Sequence, residues 1–101
     1  MNDSDKYGLS KSTVLLLKSI FFKYPTIQKV ILYGSRAKGN FKPGSDIDLV
    51  LVAPTMDLSQ LMRIENEIEE LLLPYKIDLS IFHQIENSDL IDHIKRVGTE
   101  F

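Results

Sequence analysis

The sequence contains no cysteine among its 101 residues. Disulfides and thiolate metal sites are therefore excluded, and any bound metal would need carboxylate oxygen or imidazole nitrogen as its ligands. Because hard cations prefer oxygen ligands, Mg²⁺ is the natural candidate for a metal site in this chain.

The chain also lacks a long apolar run and a strong excess of charge. Although 44% of its residues are hydrophobic, no run approaches the roughly 18 residues of a membrane span. A net charge of −2 argues against binding nucleic acid through bulk electrostatics. The polar, acidic start MNDSDKYGLSKS does not resemble a secretory signal. We therefore expect a soluble cytoplasmic protein with no membrane contact and no direct nucleic-acid binding.

Apolar spacing and breaker residues predict the order helix, strand, loop, strand, helix, strand, helix. The first helix follows a Ser10 cap and stops before Pro25, and positions 1–9 form a weakly held start. The remaining segments are strands at 30–33, 47–52 and 75–82, a helix capped by Asp57 that runs until Pro74, and a last helix capped by Asn87 or Ser88. We expect residues 1–101 to form one domain of the α/β (α+β) class, with a small mixed β-sheet packed by helices.

Asp46 and Asp48 interrupt an otherwise aliphatic strand. Side chains two residues apart on a strand share a face, with Cα atoms about 6 to 7 Å apart. Such carboxylates could share two Mg²⁺ ions about 3.5 to 4 Å apart. Because neighbouring anions repel each other, the pair implies a neutralising cation, either a metal or an arginine. The alternative is that Asp46 merely binds backbone N–H groups in a loop.

The loop before these acids is rich in glycine and basic residues. Gly34 permits close approach, and Ser35 would open a short helix whose N–H groups and hydroxyl suit a phosphate, although a tight turn is the alternative. Arg36, Lys38 and Lys42 make the loop cationic, which suits a polyphosphate or an ordinary exposed loop.

Asp78 supplies a third carboxylate, on the polar side of the third predicted strand. It could bind one ion and accept a proton from an attacking hydroxyl, or it could be a surface residue of an edge strand. His83 and His93 have no acid or cysteine at metal-ligand spacing, so we interpret them as surface or boundary residues.

The combination is more specific than its parts. Gly34 and Ser35 precede positions 36–45 and then Asp46 and Asp48, with Asp78 in a later strand. This pattern resembles the nucleotidyltransferase superfamily that includes DNA polymerase beta. The segments GSRAKG and GSDIDLVLV are similar to those of its smallest members, the minimal nucleotidyltransferase (MNT) antitoxins of HEPN/MNT pairs. The resemblance covers the chain from the first strand to the third and implies a nucleotidyltransferase fold.

The resemblance also implies a role for each motif position. Asp46 and Asp48 would hold two Mg²⁺ ions, and Asp78 would join one ion and help to activate the acceptor hydroxyl. Gly34 and Ser35 would hold the triphosphate of ATP. Arg36 is added as a nucleotide-binding residue, with a purely structural role as its alternative.

Three functions remain open at this point. By resemblance, the chain is an antitoxin enzyme that transfers AMP from ATP to a hydroxyl, expected to be a tyrosine, of a HEPN toxin in a hetero-oligomer. Alternatively, it is a non-catalytic antitoxin or adaptor that inhibits its partner by binding alone. The third hypothesis is a transferase that acts on a small molecule or on a nucleic-acid end. The short length of the chain and its slightly acidic charge argue against this hypothesis.

Overall fold

The computed structural model describes residues 7–101, and in this part of the chain four strands form one mixed sheet. The strands are β1 (Lys29–Tyr33), β2 (Ile47–Val52), β3 (Ile77–Ile81) and β4 (Thr99–Glu100). Their order across the sheet is β3-β2-β1-β4. β1 runs antiparallel to β2 and to β4, whereas β2 and β3 run parallel. The mixed sheet confirms the predicted fold class.

Helices pack against the sheet and connect its strands. They are α1 (Lys11–Phe21), α2 (Gly34–Lys38), α3 (Leu58–Glu70) and α4 (Ser88–Val97), and a 3₁₀ turn covers Phe82–Gln84. The N-termini of the three longer helices carry the predicted caps, because the side chains of Ser10, Asp57 and Asn87 each accept a hydrogen bond from a backbone N–H of the first turn. None of the helices among residues 7–101 has the length and apolar character to cross a membrane.

Several predicted boundaries are wrong. α1 ends at Phe21 rather than at position 24, because the N–H groups of Lys23 and Tyr24 bond to carbonyls only three residues back and tighten the chain into a turn. β3 covers only the central part of the predicted 75–82 strand. The two-residue strand β4 was not predicted, since so short a segment has no recognisable period.

Leu9, near the start of the chain, also differs from its prediction. Positions 1–6 lie outside the described residues. Leu9, predicted to be weakly held, is completely buried in the main core. Its burial adds apolar contact that fixes the chain before α1 begins.

The sheet separates two apolar clusters. The larger one joins α1 and α3 to one face and includes the fully buried Leu17, Leu49 and Ile64. The smaller cluster joins Tyr33 and Val50 to α4. Because side chains alternate along a strand, Asp48, two residues before Val50, lies on this second face. The Asp48 side chain is therefore on the side of the sheet that α4 partly covers.

Candidate functional site

Asp48 and Asp78 lie directly opposite each other on the adjacent parallel strands β2 and β3. Paired positions point to the same face of a sheet, so both carboxylates lie on the α4 side. Asp46 lies just before the first residue of β2, so the prediction that it shares the strand with Asp48 is wrong. Asp46 and Asp78 are exposed, whereas Asp48 is half-buried. The structure thus brings the three predicted acids to one end of two neighbouring strands.

The pKa of Asp48 depends on its burial and on the neighbouring carboxylates. Burial is the main cause that raises the pKa of Asp48 above its ordinary value, and the negative charges of Asp78 and Asp46 raise it further. The interaction with His93 lowers the pKa of Asp48. A bound cation would relieve the repulsion among the carboxylates.

Tyr33 and His93 flank the acids, and neither was predicted as part of the site. Tyr33 is paired with Asp48 on β1, and burial, followed by the charges of Asp78 and Asp48, raises its pKa. The ring of His93 on α4 meets the Tyr33 ring edge-on, with 6.1 Å between centroids. The available sequence signal was that His93 lies three residues after Leu90, on the inner face of an amphipathic helix.

Gly34 and Ser35 open α2 immediately after β1, as predicted. Gly34 has φ +74°, which side-chain-bearing residues rarely adopt, and an added Cβ would overlap the Asp48 carboxylate. The predicted phosphate-binding pair therefore lies beside one of the predicted metal ligands.

Arg36 is almost completely buried, with 1% of its surface exposed. Its guanidinium donates hydrogen bonds to three backbone carbonyl oxygens, those of Tyr7, Pro43 and Ser45. These contacts favour the structural alternative for Arg36, and its binding of a nucleotide stays a prediction. The side chains of Lys38 and Lys42 are exposed.

The donor chemistry of the site suits Mg²⁺. Within the described residues, no three acidic, histidine or cysteine side chains form a ready-made metal cage. Mg²⁺ is ordinarily held by one or two carboxylates together with water and substrate phosphates, and it does not need such a cage. The pairing of Asp48 with Asp78 on adjacent strands, with Asp46 two residues before Asp48, therefore fits this metal.

Comparison with protein families gives a match over most of the chain. The family model described as "Polymerase beta, Nucleotidyltransferase" matches residues 16–101. This region contains the Gly34-Ser35 pair and all three acids. A search of curated proteins finds no significant match.

Solved structures with a similar fold include several toxin–antitoxin complexes. A toxin–antitoxin structure with AMP-PNP gives a TM-score of 0.69 at 22% identity, over 91% of this chain and 72% of that chain. The MntA-HepT complex gives 0.62 at 19% identity, over 89% and 68%. The tri-AMPylated Shewanella oneidensis HEPN toxin in complex with an MNT antitoxin gives 0.60 at 19% identity, over 87% and 70%. At these identities the likenesses establish the fold.

Proposed function

The chain belongs to the polymerase beta nucleotidyltransferase family, and from this we propose that it is a Mg²⁺-dependent nucleotidyltransferase that acts as an antitoxin. Its reaction is the transfer of AMP from ATP to a tyrosine hydroxyl of a partner HEPN toxin. The observation that carries the proposal is the pairing of Asp48 with Asp78 on adjacent strands, beside Gly34.

Two of the similar structures support the proposed identities of the nucleotide and of the partner. One of them contains AMP-PNP, an ATP analogue, and another contains an AMPylated HEPN toxin bound to an MNT antitoxin. We propose that this chain forms the same kind of hetero-oligomer and that residues 1–101 act as a single MNT domain. The proposed location in the cytoplasm rests on the sequence.

Each residue at the site has a proposed task. Asp46, Asp48 and Asp78 would hold two Mg²⁺ ions through carboxylate oxygens, while Gly34 and Ser35 would contact the triphosphate. When bound, Mg²⁺ supplies stabilisation for the negative charge that develops on phosphate oxygens. The sheet holds Asp48 and Asp78 at a fixed separation, because their backbones are paired in register.

The transfer step balances with these groups. The acceptor oxygen attacks the α-phosphorus of ATP, and the bond from that phosphorus to the oxygen bridging to the β-phosphate breaks, so pyrophosphate leaves. Asp78, the exposed acid on β3, accepts the hydroxyl proton. Asp48, half-buried and adjacent, serves as a metal ligand and not as the base.

The experiment that tests this function follows label from ATP. The chain and the product of its neighbouring gene, tested as the candidate HEPN toxin, are incubated with Mg²⁺ and ATP labelled at the α-phosphorus, with γ-labelled ATP in parallel. We expect the toxin to retain label from the α position alone. The Asp48→Ala variant should lose this labelling, whereas Asp92→Ala, which removes an exposed acid paired with Arg96, should keep it.

The opposite outcomes are equally informative. Label from γ-ATP would indicate a kinase. A stable complex of the two proteins without any retained label would support an antitoxin that acts by binding alone. In that case Asp48→Ala should still neutralise the toxin in cells, which an enzymatic antitoxin would not do.

A further inference from the structure

Arg36 is a buried cation whose hydrogen bonds go to backbone carbonyls. Nε and Nη2 both donate to the Ser45 carbonyl, at 3.2 and 2.8 Å, and Nη1 donates to Tyr7 at 2.9 Å. A longer bond of 3.3 Å reaches Pro43. No carboxylate within residues 7–101 forms a salt bridge with Arg36. Because a buried charge is costly unless its donors are satisfied, these carbonyls must stay in place around it.

Two aromatic rings enclose the same guanidinium. Its central carbon lies 5.2 Å from the centroid of Phe41 and 5.0 Å from that of Tyr75. Phe41 belongs to the loop that leads to Asp46, and Tyr75 precedes β3. The side chain thus links the loop to the strand that carries Asp78.

The backbone around Asp46 is therefore held on both sides. On one side, Arg36 holds the carbonyl of Ser45. On the other side, the N–H of Ile47 donates to the carbonyl of Lys76 at 2.9 Å. Arg36 stacks on the ring of Tyr75, and Lys76 is the next residue in the chain. The hydrogen bond to Ser45 and the hydrogen bond to Lys76 are therefore connected through Arg36 and Tyr75.

We propose that Arg36 is a positioning residue that sets the place of Asp46 relative to Asp48, acting through Ser45 and Tyr75. The inference rests on the proposed function, because it assigns a second role at the same metal site. Asp46 lies outside β2 and lacks the strand register that holds Asp48. The Arg36 contacts supply the missing restraint.

Lysine cannot replace arginine in this arrangement. The planar guanidinium carries five donors in a fixed fork and stacks on aromatic rings, whereas an ammonium group is a compact point charge. Arg36→Lys therefore keeps the charge and removes the doubled contact with Ser45. Arg63→Lys is the matched control, since Arg63 is exposed on α3.

The test measures Mg²⁺ binding and the protection of backbone amides from hydrogen exchange in the whole 101-residue chain. We expect Arg36→Lys to weaken Mg²⁺ binding about tenfold, as measured by titration calorimetry. Losses of about this size are typical when a residue that orients a metal ligand is replaced. In the metal-free protein, amide hydrogen exchange at Ile47 should accelerate more than exchange at Ile68 in α3. Arg63→Lys should change neither quantity.

A purely structural role for Arg36 gives a different pattern. Exchange at Ile47 and Ile68 would then accelerate equally, with the Mg²⁺ dissociation constant unchanged, and the proposal would be overturned. If Arg36→Lys fails to fold, the Phe41→Leu variant provides the test, because it removes one of the two rings around Arg36 and keeps every hydrogen-bond donor of the guanidinium. We expect that variant to weaken Mg²⁺ binding about two- to threefold, and unchanged binding would overturn the proposal.

Wild-type measurements separate this inference from the proposed function. A wild-type protein that binds Mg²⁺ but transfers no AMP would refute the transferase, while the Mg²⁺ and exchange data would still decide the role of Arg36. A wild-type protein that binds no Mg²⁺, either alone or together with AMP-PNP, would overturn both.

Discussion

The Asp48 carboxylate occupies the space that a side chain at position 34 would need. An added Cβ on Gly34 would overlap a carboxylate oxygen of Asp48, and the backbone at Gly34 is left-handed, with φ +74°. Glycine is thus required there for two reasons, its conformation and its lack of a side chain. This relationship brings the proposed phosphate-binding turn next to a proposed metal ligand.

We expect Gly34→Ala to impair both stability and transfer. The left-handed conformation alone should cost about 1–2 kcal/mol in an alanine variant. Displacement of Asp48 by the new methyl group should lower AMP transfer about 100-fold, the scale for a small misplacement at a reacting centre. Thermal unfolding and the labelling assay measure the two effects.

Gly44→Ala is the control for that change. Gly44 has no left-handed backbone, and a Cβ there would meet no atom within 4 Å. The variant should match the wild type in Tm and transfer. An equal loss of Tm and transfer in both variants would show that the overlap with Asp48 is not the cause of the Gly34→Ala effect.

We predict that Asp48→Asn stabilises the metal-free protein and abolishes its response to Mg²⁺. Burial and the charges of Asp78 and Asp46 disfavour the ionised carboxylate in the folded state, so a neutral amide should raise Tm in EDTA at pH 7. Mg²⁺ at 100 times its dissociation constant should stabilise the wild type by about 2.7 kcal/mol and leave the variant unchanged. A lower Tm for the variant in EDTA would contradict this account.

The same pKa shift predicts a pH dependence. The folded-state pKa of Asp48 lies above its ordinary value of 3.8, so the folded protein binds this proton more tightly than the unfolded chain does. Stability contributed by the protonated carboxyl is complete below pH 3.8 and is lost as pH rises through the folded-state pKa. In EDTA, the Tm advantage of Asp48→Asn should therefore grow from pH 3.8 upward and then level off. An advantage that does not vary with pH would exclude ionisation as its cause.

Asp78→Asn should separate proton transfer from metal binding. If Asp78 accepts the proton of the acceptor, its amide variant should lose transfer about 100-fold or more. Because Asp46 and Asp48 remain, binding of Mg²⁺ should weaken less than it does in Asp48→Asn. Calorimetry combined with single-turnover labelling tests this contrast. Equal losses of binding in the two variants would show that Asp78 binds the metal as strongly as Asp48 does, and the loss of transfer would then be explained by lost Mg²⁺.

Local features of the fold were predictable because they depend on nearby residues. Ser10, Asp57 and Asn87 cap helices through bonds to their own first turns, and no distant contact is needed for that. β2 was predicted with its correct bounds, since an aliphatic run ends there before Pro54. The end of α1 was not predictable, because the turn at Lys23 and Tyr24 forms where Tyr24 enters the core and meets Glu67 of α3.

The sequence by itself determined the chemical inventory of the site: three carboxylates, a Gly-Ser pair and no thiolate. It could do so because residue type and spacing limit which ligands a chain can offer. Only the tertiary structure decided that Asp48 faces Asp78, that Tyr33 and His93 flank them, and that Arg36 points into the protein. These relationships depend on strand register and on packing between distant segments, which local patterns do not encode.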